Sequence, residues 1–159
     1  VSIVERCGGP AFIGRLAEAG FDGVIVPDAD LDAVQPLLDE AVRRDLAFAM
    51  LVAPTSSDAR IKRLVGHCRG FVYLLARAGI TGERTDAPEV EALVRRVRAH
   101  TALPLAVGFG ISTAAHVKAV CEHADAAIVG SSLVRRLATC DAKAAPGVAG
   151  AYAVELLSA

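Results

Sequence analysis

The sequence predicts a parallel α/β fold, on three observations. Five short apolar runs, starting near Val24, Phe48, Phe71, Leu105 and Ala127, alternate with stretches of helical periodicity. That rhythm is βαβ, a parallel sheet with right-handed crossovers. The runs are apolar almost without interruption, as strands covered on both faces are. Two of them end in glycine and serine immediately before a helix start, Gly108-Phe109-Gly110-Ile111-Ser112 and Gly130-Ser131-Ser132. The spacing does not separate an open doubly wound sheet from part of a barrel.

The elements follow in order. Residues 10–19 form a helix stopped by Gly20, with Phe12, Leu16 and Ala19 on one face. Residues 23–27 are a strand, with Asp28 at its C-terminal end. A helix over 32–44 turns Val34, Leu37, Leu38 and Ala41 inward. The run 47–53 is a strand broken by Pro54, after which Thr55-Ser56-Ser57-Asp58 offers caps for a helix reaching about Cys68. Residues 70–75 are the third strand and 79–84 a polar, glycine-bearing loop. A helix over 88–100, a strand over 105–107, a helix over 113–123 and a strand over 126–129 complete the alternation. Ser131 to Arg136 reads as a short extra helix, and 145–157 as the closing one.

Composition narrows the function. The 159 residues are expected to form a single domain with a sizeable core. Hydrophobic residues make up 53%, yet the longest apolar run, 46–53, is far too short to cross a bilayer. A net charge of −1 gives no electrostatic case for nucleic acid or an anionic membrane, and without Trp there is little base-stacking surface. Cys7, Cys68, Cys121 and Cys140 are scattered with no Cys-x-x-Cys, so a reducing cytoplasm is expected, with no disulfide framework and no targeting segment. The chain begins with Val rather than Met and is expected to be a piece of something longer.

Chemistry concentrates at the two glycine-serine strand ends. Glycine lets backbone approach a ligand because no Cβ intervenes. A helix that follows adds unpaired N–H groups and the positive end of its dipole. Two such ends side by side make an anion seat, most often for phosphate. Elsewhere the residues read blandly. His116, Cys121 and His123 share one helix but read as a solvated face rather than a metal site. Glu83-Arg84 and Arg95-Arg96-Arg98 read as solvated charge, and His67-Cys68 lacks a third member that would make a nucleophile. Arg77 could pair with a loop carboxylate or contact substrate, and Tyr73 could line a pocket or fill the core.

Several blocks together resemble the tryptophan synthase α subunit family. They are Val24-Ile25-Val26-Pro27-Asp28, Ala53-Pro54-Thr55-Ser56, Gly70-Phe71-Val72-Tyr73-Leu74-Leu75, Arg77-Ala78-Gly79-Ile80-Thr81-Gly82, Val107-Gly108-Phe109-Gly110-Ile111-Ser112 and Val129-Gly130-Ser131. The most specific runs from Tyr73 to Gly82, and the likeness covers essentially the whole chain. It implies a TIM (β/α)8 barrel, of which this chain would be the C-terminal portion of about five parallel βα units. The implied activity is a lyase reaction in tryptophan biosynthesis, aldol cleavage of indole-3-glycerol phosphate to indole and glyceraldehyde 3-phosphate.

By the same resemblance, phosphate would rest on Gly82, Gly110, Gly130 and Ser131, Tyr73 would line the indole pocket, and Thr81 would belong to a closing loop. No cofactor and no metal are expected in this chain. Pyridoxal phosphate would belong to a β-subunit partner in an αββα tetramer, with Asp28 near the partner-facing surface. The family follows that aspartate with Leu-Pro, whereas Ala29-Asp30 stands here and weakens the expectation of docking. The catalytic Glu/Asp pair would lie ahead of Val1, so no residue here takes those roles and the chain alone is expected to be inactive. The alternatives are a stand-alone indole-3-glycerol-phosphate lyase, a non-catalytic partial barrel that binds sugar phosphate, or a structural half barrel that self-associates.

Overall fold

A computed structural model describes residues 2–28, 30–76, 90–108 and 110–158. They fall into two compact units, Val1–Val52 with Ser56–Tyr73 and Arg96–Pro104, and Ala53–Thr55 with Leu74–Arg95 and Leu105–Ala159.

The first unit opens with α1 (Ser2–Arg6), a helix the sequence reading missed, and α2 (Pro10–Glu18). Then come β1 (Gly23–Ile25), α3 (Gln35–Arg43), β2 (Ala47–Ala49), β3 (Leu51–Val52) and α4 (Asp58–Gly66). β1 and β2 run parallel, with Gly23 opposite Ala47 and Ile25 opposite Ala49. A Cβ at Gly23 would lie 2.7 Å from both the Cβ and the carbonyl oxygen of Ala47. Gly70 presses on the same residue from elsewhere, with φ +91° and an ideal Cβ 2.7 Å from the Ala47 Cβ. Two glycines therefore make room for one alanine.

The strand expected over 47–53 is two strands, so the described residues hold six rather than five. The break has its cause in residues distant along the chain. Phe48 exchanges backbone hydrogen bonds with Arg69 (2.8 and 2.7 Å). At Met50, between the strands, the amide donates to Cys68 Sγ at 3.4 Å and the carbonyl accepts from Tyr73 N at 3.2 Å. β2 thus keeps β1 as its sheet neighbour, while β3 turns to β4 (Val72–Leu75).

Three helix expectations need adjustment. The helix expected from Asp32 starts at Gln35, because Asp30 builds its own turn. Ala33 N donates to Asp30 O (3.1 Å) and Asp32 N to Asp30 Oδ1 (3.2 Å). On α2 the buried residues are Ile13 and Gly14, not the Phe12, Leu16 and Ala19 face. Gly14 is narrow enough to meet Arg44, and Ala19 is exposed. Phe12 and Leu16 join Phe21, Val24, Ile25 and Phe71 around an apolar cleft of about 480 Å³. The cap of α4 is Ser57, whose Oγ accepts from Arg60 N (3.3 Å). Arg96 is not merely solvated, since its guanidinium donates to Ser56 O (2.6 Å) and Asp58 Oδ1 (2.8 Å).

β4 and α5 (Glu91–Arg98) each contribute to both units. The second unit continues with β5 (Leu105–Gly108), α6 (Ala114–Cys121), β6 (Ala126–Ile128), α7 (Ser131–Ala138) and α8 (Ala145–Leu157). Here β4 neighbours β5, and β5 neighbours β6. All four residues of β5 are buried, as the uninterrupted apolar run requires. Asp125 closes the start of the β5–β6 pair, its carboxylate accepting from Leu105 N (2.7 Å) and its amide donating to Leu105 O (3.0 Å). Among the described residues, no helix is long and apolar enough to cross a membrane.

Gly23→Ala is expected to destabilise the chain by about 1–3 kcal/mol in urea unfolding, because backbone as well as side chain must move. Gly66→Ala, in open space at the end of α4, should change stability by less than about 1 kcal/mol. Equal stability of Gly23→Ala and the parent would contradict the close approach. Burial pushes the Cys68 thiol up to about 11 from its ordinary 9.0. The unfolded chain therefore loses that proton first, and stability should fall as pH rises from 9 towards 11. Relative to Cys68→Ala, the extra loss should reach about 2 kcal/mol over that window. Identical pH slopes in the two proteins would contradict it.

Candidate anion-binding site

β5 and β6 pair in parallel, with Ala106 opposite Ala126, Val107 opposite Ala127 and Gly108 opposite Ile128. Their C-terminal ends are therefore level. Gly110 and Gly130 each follow two residues beyond the last pair, so the two glycine-serine loops leave the sheet side by side. Contact across the loops is direct, because Ser132 Oγ donates to the Ile111 carbonyl at 3.4 Å.

The two helix starts differ. Thr113 caps α6, its Oγ1 accepting from His116 N (3.2 Å). The Ser112 amide donates to His116 Nδ1 (3.3 Å). Much of that N-terminus is already satisfied by the protein. α7 begins at Gly130, which makes no side-chain cap. A Cβ on Gly130 would meet no atom within 4 Å, and its φ of −122° is open to any residue. Neither packing nor conformation asks for glycine there. The position is open, next to the first amides of α7, and Ser131 beside it is exposed. Gly110 differs again: its φ of +85° favours glycine on backbone grounds.

A residue the sequence reading did not single out underpins this arrangement. Tyr152, on α8, is 2% exposed, and its hydroxyl lies 2.8 Å from both the Ser112 carbonyl oxygen and Ser132 Oγ. Arg136 of α7 stacks 3.9 Å from the Tyr152 ring centroid and bonds both carboxylate oxygens of Glu155 (2.8 and 2.9 Å). The only sequence signal was a tyrosine in the small, apolar run Ala149-Gly150-Ala151-Tyr152-Ala153-Val154.

The other expected residues scatter. Tyr73, on β4, is half-buried, and burial raises its phenol above the usual value. Asp28 is exposed beyond the end of β1. Thr81 and Gly82 lie outside the described residues, as do Arg77 and Glu83-Arg84. The solvated-face expectation fails at His116, which is 2% exposed; Cys121 and His123 are exposed. No group of three or more metal-capable side chains occurs among the described residues. Cys68 donates to Leu64 O (3.3 Å), and burial raises its thiol to about 11.

Fold and strand ends together define a class, parallel α/β proteins whose loops gather beyond the strand C-termini, where folds of this class place their sites. Comparison with known proteins makes this specific. The family model for the tryptophan synthase alpha chain matches residues 1–155. Tryptophan synthase alpha chains from Chloroflexus aurantiacus and Methanocaldococcus jannaschii are 43% and 39% identical, over 91% and 84% of this chain. Those matches cover 54% and 48% of the two relatives, so the chain spans about half the length of the curated relatives it matches. Among solved structures, tryptophan synthase from Mycobacterium tuberculosis superposes with a TM-score of 0.82 at 35% identity, over 96% of this chain and 57% of that one. A mutant alpha-subunit from Pyrococcus furiosus gives 0.86 at 28% identity, over 99% and 64%. The chain belongs to the tryptophan synthase alpha chain family.

Proposed function

We propose that this chain supplies the phosphate-binding part of a lyase that cleaves indole-3-glycerol phosphate to indole and glyceraldehyde 3-phosphate. The observation that carries the reading is the level pair of strand ends, which brings Gly110, Gly130 and Ser131 to one side of the sheet. Family membership supplies the substrate class. The phosphate rests on backbone amides of Gly82, Gly110, Gly130 and Ser131, and the dipole of α7 favours its charge. Tyr73 borders the indole ring, and Thr81 belongs to a loop that closes over the substrate and excludes water.

In the retro-aldol step a base takes the proton of the hydroxyl beside the breaking carbon–carbon bond. The ring carbon that bears the side chain first gains a proton, and the bonding pair then returns to the cationic ring as the bond breaks. The hydroxyl carbon becomes the aldehyde of glyceraldehyde 3-phosphate. One carboxylate shuttles the proton and a second stabilises charge on the ring. No residue of this sequence is assigned either role, so turnover requires the earlier strands of a complete barrel. This chain's own contribution is to hold the anionic end of the substrate while the bond breaks.

The complete protein works in the cytoplasm with a β subunit that holds pyridoxal phosphate, and the region around Asp28 faces that partner. The four free cysteines suit a reducing compartment.

Two experiments test the reading. Gly130→Leu is expected to weaken glycerol 3-phosphate binding at least about tenfold, since a side chain then occupies the anion's space, while leaving indole binding within twofold. Equal loss of both ligands would contradict a phosphate seat. Adding a fragment that bears the first three βα units of a relative should restore cleavage of indole-3-glycerol phosphate. Phosphate binding without restored turnover would favour the non-catalytic binding module.

A further inference from the structure

We propose that Tyr152 is a positioning residue for the phosphate loops, its hydroxyl fixing the separation between the loop after β5 and the start of α7. The inference rests on the phosphate reading above and adds to it the device that holds the seat in shape.

Three observations converge on it. The hydroxyl reaches both loops at once, lying 2.8 Å from Ser112 O on one side and 2.8 Å from Ser132 Oγ on the other. With one proton on each hydroxyl, both 2.8 Å contacts are made when Tyr152 donates to Ser112 O and accepts from Ser132 Oγ, and the longer 3.4 Å approach of Ser132 Oγ to Ile111 O competes for the serine proton. Tyr152 and Ser132 are buried, 2% and 3% exposed, and Ser112 is half-buried. A buried hydroxyl with satisfied partners is stiff, because breaking either contact leaves a desolvated polar atom unpaired. The ring has its own restraint in Arg136, itself bonded to Glu155. Ser112 follows Gly110 by two residues and Ser132 follows Gly130 by two. Moving either partner of Tyr152 therefore moves an amide of the seat.

The ligand contacts are main-chain amides, so no side chain can swing to compensate for a widened gap. Pre-setting their spacing lowers the ordering cost when an anion arrives. Tyr152 does this without touching the ligand.

The test uses inorganic phosphate and glycerol 3-phosphate titrated into ¹⁵N-labelled chain. The amides of Gly110, Gly130 and Ser131 report binding, and thermal unfolding without ligand is measured in parallel. Tyr152→Phe keeps the ring, its packing and the Arg136 stack, and removes only the hydroxyl. It is expected to raise both dissociation constants about five- to tenfold, the usual yield of one hydrogen bond. Ser132→Ala should give a similar loss. The double variant should lose no more than the larger single loss, because both substitutions break one linkage. If the ring served only as core packing, Tyr152→Phe would bind phosphate as the parent does. Affinity within twofold of the parent, or fully additive losses, overturns the positioning role while leaving the phosphate reading intact. Parent amides that do not shift at Gly110, Gly130 and Ser131 remove the phosphate reading and this role with it. Should Tyr152→Phe fail to fold, Ser132→Ala decides, with weakened binding supporting the role and unchanged binding overturning it.

Discussion

The register between β5 and β6 is the constraint on which the site depends. With Gly108 opposite Ile128, both strands stop at the same height, and the two loops that follow must share one space. A slip of one residue would stagger the two strand ends and turn each shifted side chain to the opposite side of the sheet. The reciprocal Leu105–Asp125 bonds at the start of the pair oppose such a slip. Core packing and loop placement are thus one problem with one solution.

Given that placement, the residue types sort themselves. Thr113 and His116 satisfy the α6 terminus from within, leaving α7 as the open end. Gly110 is held by its backbone angle, Gly130 by the space it keeps empty. A seat built from amides carries no formal charge of its own, which is compatible with a chain whose net charge is only −1. Composition therefore carries no trace of the proposed seat. The signal was positional, in where glycine and serine fall relative to strand ends.

Periodicity made the parallel α/β class and most element positions legible, because strands buried on both faces leave unbroken apolar runs. The closing helix, 145–157, falls where the sequence put it. The break at Met50 was hidden, since 46–53 is uniformly apolar and the cause lies at Arg69, Cys68 and Tyr73, distant in sequence. The helical face of α2 was misjudged for a similar reason: a glycine at the packing point looks like a weak core residue until Arg44 is seen against it. His116 was misassigned because a histidine beside Cys121 and His123 looks polar in a string, whereas the fold buries it as a hydrogen-bond partner for Ser112. Tyr152 left almost no trace, because nothing in a small-residue helix reveals that one hydroxyl reaches two loops.

The most direct measurement is a crystal structure of this chain with glycerol 3-phosphate. The account predicts phosphate oxygens within about 3 Å of the amide nitrogens of Gly110, Gly130 and Ser131, a normal N–H···O separation, in front of α7. Phosphate bound elsewhere, or held by side chains with those amides turned away, would contradict it.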